Sequence, residues 1–376
     1  MSLKPAPRPG LHMASPFPAS SSTPGTGRIV VGISPNGEPS VEILSYQYPL
    51  KLLSPSSGGG GSSDSPKRKS ALVFLLSYGG GLVAGDQVNL AVEMRPHARL
   101  SLVTQGTTKV FKAPPVQPSG SMADLVVTRQ NLEMRVAAGA ALCLLPDPVQ
   151  PFADSVYEQL QVVRLAAGSR DGTEAASLCL LDWVTQGRAA RGENWSFTRW
   201  QGRNEIWVEE QLDDASISKS RLLVRDAVIL VPEMIDGGLS ALAPASDYAF
   251  PRSTVLRDSM HGLAVVGTLI LRGPLVEALG RFFLAEFAAQ PRLGARDFHE
   301  SSGPGPALEP AVWRASRLQL ELTHGVLWSA AAVRSCVVVK FGARSVEGGR
   351  LWIGGMLQRE GSVAAVFGDQ ALMCVR

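Results

Sequence analysis

One design returns along the middle of the chain: a segment alternating polar and apolar residues, a short turn, then a continuous apolar run. Val88-Asn89-Leu90-Ala91-Val92-Glu93-Met94 alternates, turns at Arg95-Pro96-His97-Ala98 and enters Arg99-Leu100-Ser101-Leu102-Val103. Glu133-Met134-Arg135-Val136, the turn Ala138-Gly139-Ala140 and Ala141-Leu142-Cys143-Leu144-Leu145 repeat it. A looser copy leads from Gln161-Val162-Val163-Arg164-Leu165, through a loop holding Gly168 and Gly172, to Ala176-Ser177-Leu178-Cys179-Leu180-Leu181. Alternation with period two marks a strand with one buried face. A short apolar run bounded by turns marks a strand buried on both. The chain therefore reads as mainly β, with strand–turn–strand units stacked in layers as in a solenoid. The period is irregular, and a plain sandwich of hairpins gives a similar pattern, so both arrangements stay open.

Other segments fill in the order. Residues 1–27 are rich in proline and serine, and the prolines at 5, 7, 9, 16 and 18 forbid the amphipathic helix of an organelle-targeting peptide. They read as a disordered tail. The folded part, 28–376, reads as one domain opened by Arg28-Ile29-Val30-Val31. A flexible insertion at 54–70 holds Gly58-Gly59-Gly60-Gly61 and the basic run Pro66-Lys67-Arg68-Lys69. A solvated loop is the plain reading of that run, and a nuclear-import signal the sharper one. Weaker loops cover 112–120 and 301–310. Strands are expected at Ala71–Leu76, 205–208, 222–224, 227–230 and 336–341. Near the C-terminus the period changes. Leu275, Val276, Leu279, Phe282, Phe283 and Phe287 follow Pro274 at helical spacing, which predicts an amphipathic helix over 274–290 with its aromatic face in the core. A second helix is expected over 346–357, weakened by Gly348 and Gly349.

Composition narrows the function. A net charge of +3 without a Lys/Arg stripe argues against nucleic acid. Charged residues make up 18% of the chain, low enough to suit a protein that buries surface against partners. No apolar run spans a bilayer and the N-terminus has no secretory apolar core, so neither a membrane nor export is expected. Cys143, Cys179, Cys336 and Cys374 are widely spaced. Cys143 and Cys179 sit in apolar runs and read as buried hydrophobes, which fits a reducing, cytoplasmic setting. Gly79, Gly81 and Ala84 spell a dinucleotide fingerprint in letters. Gly85-Asp86 and a strand follow where the helix holding a pyrophosphate would stand, so that reading fails. No P-loop, nucleophile elbow or zinc-protease motif occurs, and the five histidines are isolated. No permanent metal or cofactor is expected. Spaced carboxylates lining a wet channel could still pass a divalent ion along. Asp86, Asp154, Glu158 and Glu193 are the candidates, the last in a charged turn where the plain reading is an exposed Arg188–Glu193 pair.

Three motifs stand in order: Gly79-Gly80-Gly81-Leu82-Val83-Ala84-Gly85-Asp86, then Thr104-Gln105-Gly106-Thr107-Thr108-Lys109-Val110-Phe111, then Gly187-Arg188-Ala189-Ala190-Arg191-Gly192-Glu193. Between the last two lies the proline-marked stretch Leu145-Pro146-Asp147-Pro148 … Pro151-Phe152-Ala153-Asp154-Ser155. Together they resemble the urease accessory protein D family, called H in some bacteria, over about residues 28–240 and more loosely to the end. Ser77-Tyr78-Gly79 and Gly106-Thr107-Thr108 depart from the family pattern, which has prolines and alanines there.

The resemblance implies a β-helix-like stack of strands with a few helices near the C-terminus. It implies a non-enzymatic chaperone that binds apo-urease and accessory protein F, and through F recruits the GTPase accessory protein G. The assembly would deliver nickel, in transit only, along an internal route. By the same resemblance Asp86 and Glu193 line that route or hold the loops around it. Gly80, Gly85, Thr104, Gln105, Lys109, Arg188 and Gly192 then shape loops or meet partners. Two other functions compete with this one: a β-rich, amidase-like hydrolase using Asp86 and Lys109, and a generic interaction scaffold.

Overall fold

A computed structural model of the chain describes residues 23–55, 68–114, 125–168, 175–211, 218–231, 253–290 and 309–376. Strands dominate the first two thirds. β1 (Thr26–Ile33), β2 (Pro39–Tyr46), β3 (Leu50–Leu53), β4 (Ala71–Ser77), β5 (Gly81–Leu82), β6 (Gln87–Met94), β7 (Arg99–Val103) and β8 (Thr108–Val110) come first. β9 (Thr128–Val136), β10 (Ala141–Leu144), β11 (Val149–Pro151), β12 (Val156–Ala166), β13 (Ser177–Thr185), β14 (Arg199–Gln211) and β15 (Ser218–Leu230) follow. Helices then enter: α1 (Ser253–Ser259), strand β16 (Val265–Arg272), α2 (Glu277–Ala288), α3 (Glu309–His324), strands β17 (Leu327–Val333) and β18 (Cys336–Ala343), α4 (Val346–Glu360) and α5 (Ser362–Phe367).

The strands form two mixed sheets. One has seven strands in the order β15-β14-β12-β9-β6-β1-β2. The other has eleven, with the main path β17-β18-β16-β13-β10-β7-β4-β3. In the first, β1, β6, β9, β12 and β14 pair in parallel. In the second, β4, β7, β10 and β13 do. The repeated units of the sequence are therefore not hairpins. β6 pairs with β9 and β7 with β10, so the turn at Arg95-Pro96-His97-Ala98 carries the chain from one sheet to the other. Successive turns stack: the exposed His97, at φ +62°, donates its backbone N–H to Ala138 O at 3.1 Å.

This topology explains the apolar runs. The four residues of β10 and the nine of β13 are all buried. One face meets the seven-stranded sheet, where Leu142, Leu178 and Leu180 pack with Met94, Leu132 and Val163. The other face meets the helices, where Cys143, Cys179 and Trp183 pack with Phe283, Trp352 and Leu357. The chain thus has three layers and two cores, each fully buried Leu, Ile or Phe contributing about 1.5–3 kcal/mol.

The expected C-terminal helices appear. Leu279 and Phe283 of α2 are fully buried, so its aromatic face is core. α4 runs from Val346 to Glu360, longer than expected, capped by Ser345 Oγ on the Gly348 N–H. A side chain at Gly348 would stand 2.5 Å from His324 Cβ, so glycine lets α3 and α4 pack closely. α3 escaped the sequence reading because its buried positions are charged: Arg317 and Glu321, the former within 3.6 Å of Glu286 on α2. At the other end, strand begins at Thr26, two residues ahead of the expected start at 28. The insertion expected at 54–70 falls mostly outside the described residues, as do residues 1–22 of the tail. Ser70 is fully buried and donates to Phe367 O at 2.7 Å, so the end of that segment belongs to the fold.

Candidate functional site

The motifs separated in sequence meet at one end of the sandwich. β5, β8 and β11 form a short parallel ladder, with Gly81 opposite Lys109 and Lys109 opposite Gln150. Val149 of β11 also pairs with Val184 near the end of β13, from which the chain enters Gly187–Glu193. Phe111 and Phe152 leave adjacent strands with their rings edge to face at 5.2 Å, and the Arg188 guanidinium lies 3.8 Å over Phe152. A Cβ at Gly81 would meet the Phe111 ring at 2.6 Å and Lys109 O at 2.9 Å, so only glycine fits the ladder there.

Asp86 and Glu193 act locally at this end. Asp86 Oδ2 accepts the Val83 N–H at 2.7 Å and closes the turn in which Gly85 has φ +87°. Glu193 is 8% exposed, so its pair with Arg188 is no solvated surface contact. Its Oε1 accepts the Arg188 Nε–H at 2.8 Å and also Nη2, and Oε2 accepts the Arg188 backbone N–H at 2.8 Å. Burial raises the affinity of Glu193 for a proton. The donors of Arg188 and the Ala153 N–H outweigh this and hold the carboxyl below its ordinary range. Glu193→Gln is therefore expected to cost about 2 kcal/mol in equilibrium denaturation at neutral pH. It should also remove an acid lability of the wild type, whose stabilisation is lost as pH falls through that depressed value.

Thr104 ties the second motif to the proline turn and to α4. Its hydroxyl donates to Asp147 Oδ2 at 3.0 Å, and Asp147 Oδ2 also accepts the Gly106 N–H at 2.9 Å. Arg350 of α4 reaches Asp147 Oδ1 at 2.8 Å and Cys374 O at 3.0 Å. Gly80, Gly192, Gln105 and Lys109 are exposed, and Lys109 has no ion-pair partner among the described residues. Asp154 is an exposed loop residue, and Glu158 sits on the outer face of the seven-stranded sheet with Arg129 and Arg199.

The most unusual polar feature lies between the sheets. Gln161, Asn204 and Asp226 stand side by side on β12, β14 and β15. Asp182, Thr268, Lys340 and Ser329 stand side by side on β13, β16, β18 and β17. Hydrogen bonds join the two rows: Asp182 accepts from Gln159 at 2.8 Å and Asn204 at 2.9 Å, and Lys340 Nζ donates to Asp226 at 2.6 Å. At one end the seam opens into a cavity of about 470 Å³ lined by Asp182, Lys340, Trp200, Met260 and Trp328 among others. At the other, Asp182, Gln159 and Gln161 share a pocket of about 30 Å³ with Thr104 and Asp147. Burial pushes the Asp182 carboxyl above its usual range, against the hydrogen bonds of Asn204 and Gln159, which lower it. The sequence reading passed over these residues. Their signal was a single acid inside the apolar run Ser177–Thr185.

Nothing here is built for thiolate chemistry. Cys143 and Cys179 are buried neighbours across β10 and β13, and burial holds the Cys143 thiol well above its ordinary value. Among the described residues no group of three or more His, Cys, Asp or Glu is placed to hold a metal ion. No helix among them is long and apolar enough to cross a membrane.

The profile of the UreD urease accessory protein family matches residues 25–374. The chain belongs to the UreD family. It is 31% identical to urease accessory protein 4 of Cryptococcus neoformans over 359 residues, covering 92% of this chain and 93% of that protein. It is 28% identical to urease accessory protein UreD of Anaeromyxobacter over 356 residues, 95% of this chain and 91% of the relative. Urease accessory protein D of Oryza sativa subsp. indica is 34% identical over 228 residues, 61% of this chain and 58% of the rice protein. UreD proteins serve urease maturation, and this chain is such a factor rather than a catalytic enzyme.

Proposed function

We propose that this UreD-family chain is a scaffold that binds apo-urease, recruits accessory proteins F and G, and conducts nickel through its interior to the urease active site. The observation that carries this reading is the polar seam between two otherwise apolar sheet faces. Burying polar side chains there costs stability that an apolar core would not lose, so the row serves something other than packing. Its Asp182 lines both the larger cavity and the small pocket shared with Thr104 and Asp147, at the end where the motifs gather. Parallel stacking of β6, β9, β12 and β14 over β7, β10 and β13 supports a β-helix-like description of this frame. Asp86 and Glu193 hold the loops at the motif end instead of lining the path, because their carboxylates are engaged by neighbouring donors. The scaffold works in the cytoplasm. No nucleic acid or membrane takes part.

The test is affinity purification of the tagged chain from cells co-expressing urease and the accessory proteins, with metal analysis of the eluate. Urease, F and G should co-elute, nickel should travel with the complex, and urease activity at limiting nickel should depend on this chain. Urease fully loaded with nickel in cells lacking the chain would end the proposal.

A further inference from the structure

The third motif is closed at its base by Trp195, which is fully buried yet has its backbone at φ +57°. That left-handed region is costly for a bulky side chain, and such residues persist only where their surroundings hold them. The holding contacts are specific. The Trp195 backbone N–H donates to Gln186 O at 2.8 Å, which joins the two ends of the loop 187–194. Its indole Nε1–H donates to Leu263 O at 2.8 Å, and its ring meets Phe197 edge to face at 6.0 Å. At the other end of the loop the Gln186 N–H donates to Ala264 O at 2.8 Å. Entry and exit are thus fastened to consecutive carbonyls in the turn between α1 and β16, and the Ala264 N–H in turn reaches Ala343 O of β18 at 2.8 Å. A short loop whose ends meet and whose interior is filled by its own side chains, here the Arg188–Glu193 pair, is a compact unit that moves as a body. Its tip, Ala189, Ala190, Arg191 and Gly192, is exposed.

We propose that Trp195 is the positioning residue of this motif loop: its indole N–H fastens the loop to the α1–β16 turn, so that the two move together and the exposed tip stands at the fixed place that urease maturation requires. The inference rests on the family's maturation role and not on the polar seam or on nickel. The division of labour follows from the contacts. The Arg188–Glu193 pair fixes the loop internally and leaves open where the loop stands on the rest of the chain. The Gln186–Ala264 bond fixes only the entry. The indole supplies the exit anchor. Without it the strained backbone at Trp195 is free to return to an ordinary region. That change turns the chain at the exit, and Gly187, at φ +109°, absorbs the difference at the entry. The tip then loses its fixed place although the Arg188–Glu193 pair stays closed. Leu263 also lines the larger cavity, so the same anchor carries any displacement of the tip to that wall.

The experiment follows hydrogen–deuterium exchange in the purified full-length chain, wild type against Trp195→Phe. Phenylalanine keeps an aromatic ring beside Phe197 and removes the donor. Exchange is expected to rise roughly ten-fold in 186–195 and in 260–264 together, the effect of losing one hydrogen bond, with β10 and β13 unchanged. Urease activation by the variant should fall by a similar factor. If the phenylalanine variant does not fold, the measurement is repeated with β-(3-benzothienyl)alanine at position 195, which has the shape of tryptophan and carries sulfur in place of the N–H. Unchanged exchange, a rise in only one of the two segments, or a rise spread over the whole chain overturns the proposal. So does full urease activation by a variant whose two segments exchange faster. Co-elution of urease, F, G and nickel is measured on the wild-type chain, so the scaffold reading and the role of Trp195 can fail separately.

Discussion

Asp182→Asn is expected to cut urease activation at limiting nickel by at least about ten-fold while leaving the protein as stable as wild type at neutral pH. The two halves of the expectation come from the same surroundings. Asp182 is 8% exposed and has two amide donors, from Gln159 and Asn204, with Lys340 contributing at longer range. Burial dominates and raises its proton affinity, and the nearby Asp226 adds to the rise. Asparagine has the same shape and carries no charge to desolvate. One amide turned end for end restores complementary hydrogen bonds, so the fold should tolerate the change. What is lost is the negative charge between the two cavities, which a passing cation needs. The pH dependence gives a second check. A carboxyl whose folded pKa lies above its unfolded one binds more protons in the native state, so stability falls as pH rises through the raised value. Wild type should therefore gain stability as pH falls through that raised value, and Asp182→Asn should lack that gain. Glu193 works in the opposite direction and at lower pH, below the ordinary carboxylate range. Denaturant titrations over a pH series separate the two. Full activation by Asp182→Asn at scarce nickel would remove the seam from the delivery path.

The sequence showed the strands and concealed their partners. Val88–Met94 and Arg99–Val103 were legible because alternation and short apolar runs are local signals. That β6 pairs with β9 instead of β7 is set by contacts some forty residues away, which no local pattern carries. The motif end was legible as an ordered set of residues, since Gly80 and Gly85, with φ +75° and +87°, answer local backbone demands. Their meeting as the β5-β8-β11 ladder was not. The seam was hidden for another reason. Gln159, Gln161 and Asn204 look like the wet face of an alternating strand, and only the opposite sheet makes them interior. α3 shows the same effect, because Arg317 and Glu321 are buried through pairing and leave no apolar stripe. Buried polar residues are where pattern reading fails, and here they coincide with the places best suited to function.

Arg350→Ala is expected to destabilise the protein by about 3 kcal/mol and to disable urease activation through the second motif. Arg350 lies on α4, more than two hundred residues from the motif it serves, 26% exposed, while the side chain of its partner Asp147 is 8% exposed. Removing the guanidinium leaves a buried carboxylate with only the Thr104 hydroxyl and Gly106 N–H on its other oxygen. It also strips the donor from Cys374 O, which helps fix the C-terminal residues against Thr104. The cost of an unpaired buried charge exceeds the net worth of the pair, so removing both partners should be milder than removing one. Arg350→Met with Asp147→Asn is accordingly expected to recover more than half of the lost stability in a denaturation double-mutant cycle. Activation should not recover with it, because Asp147 also orders the Thr104–Gly106 backbone that leads into β8 and the ladder. Additive single effects would show that the pair is not coupled. Recovered activation in the stable double variant would show that the loop needs only a folded support, and that the link from α4 to the motif end carries stability alone.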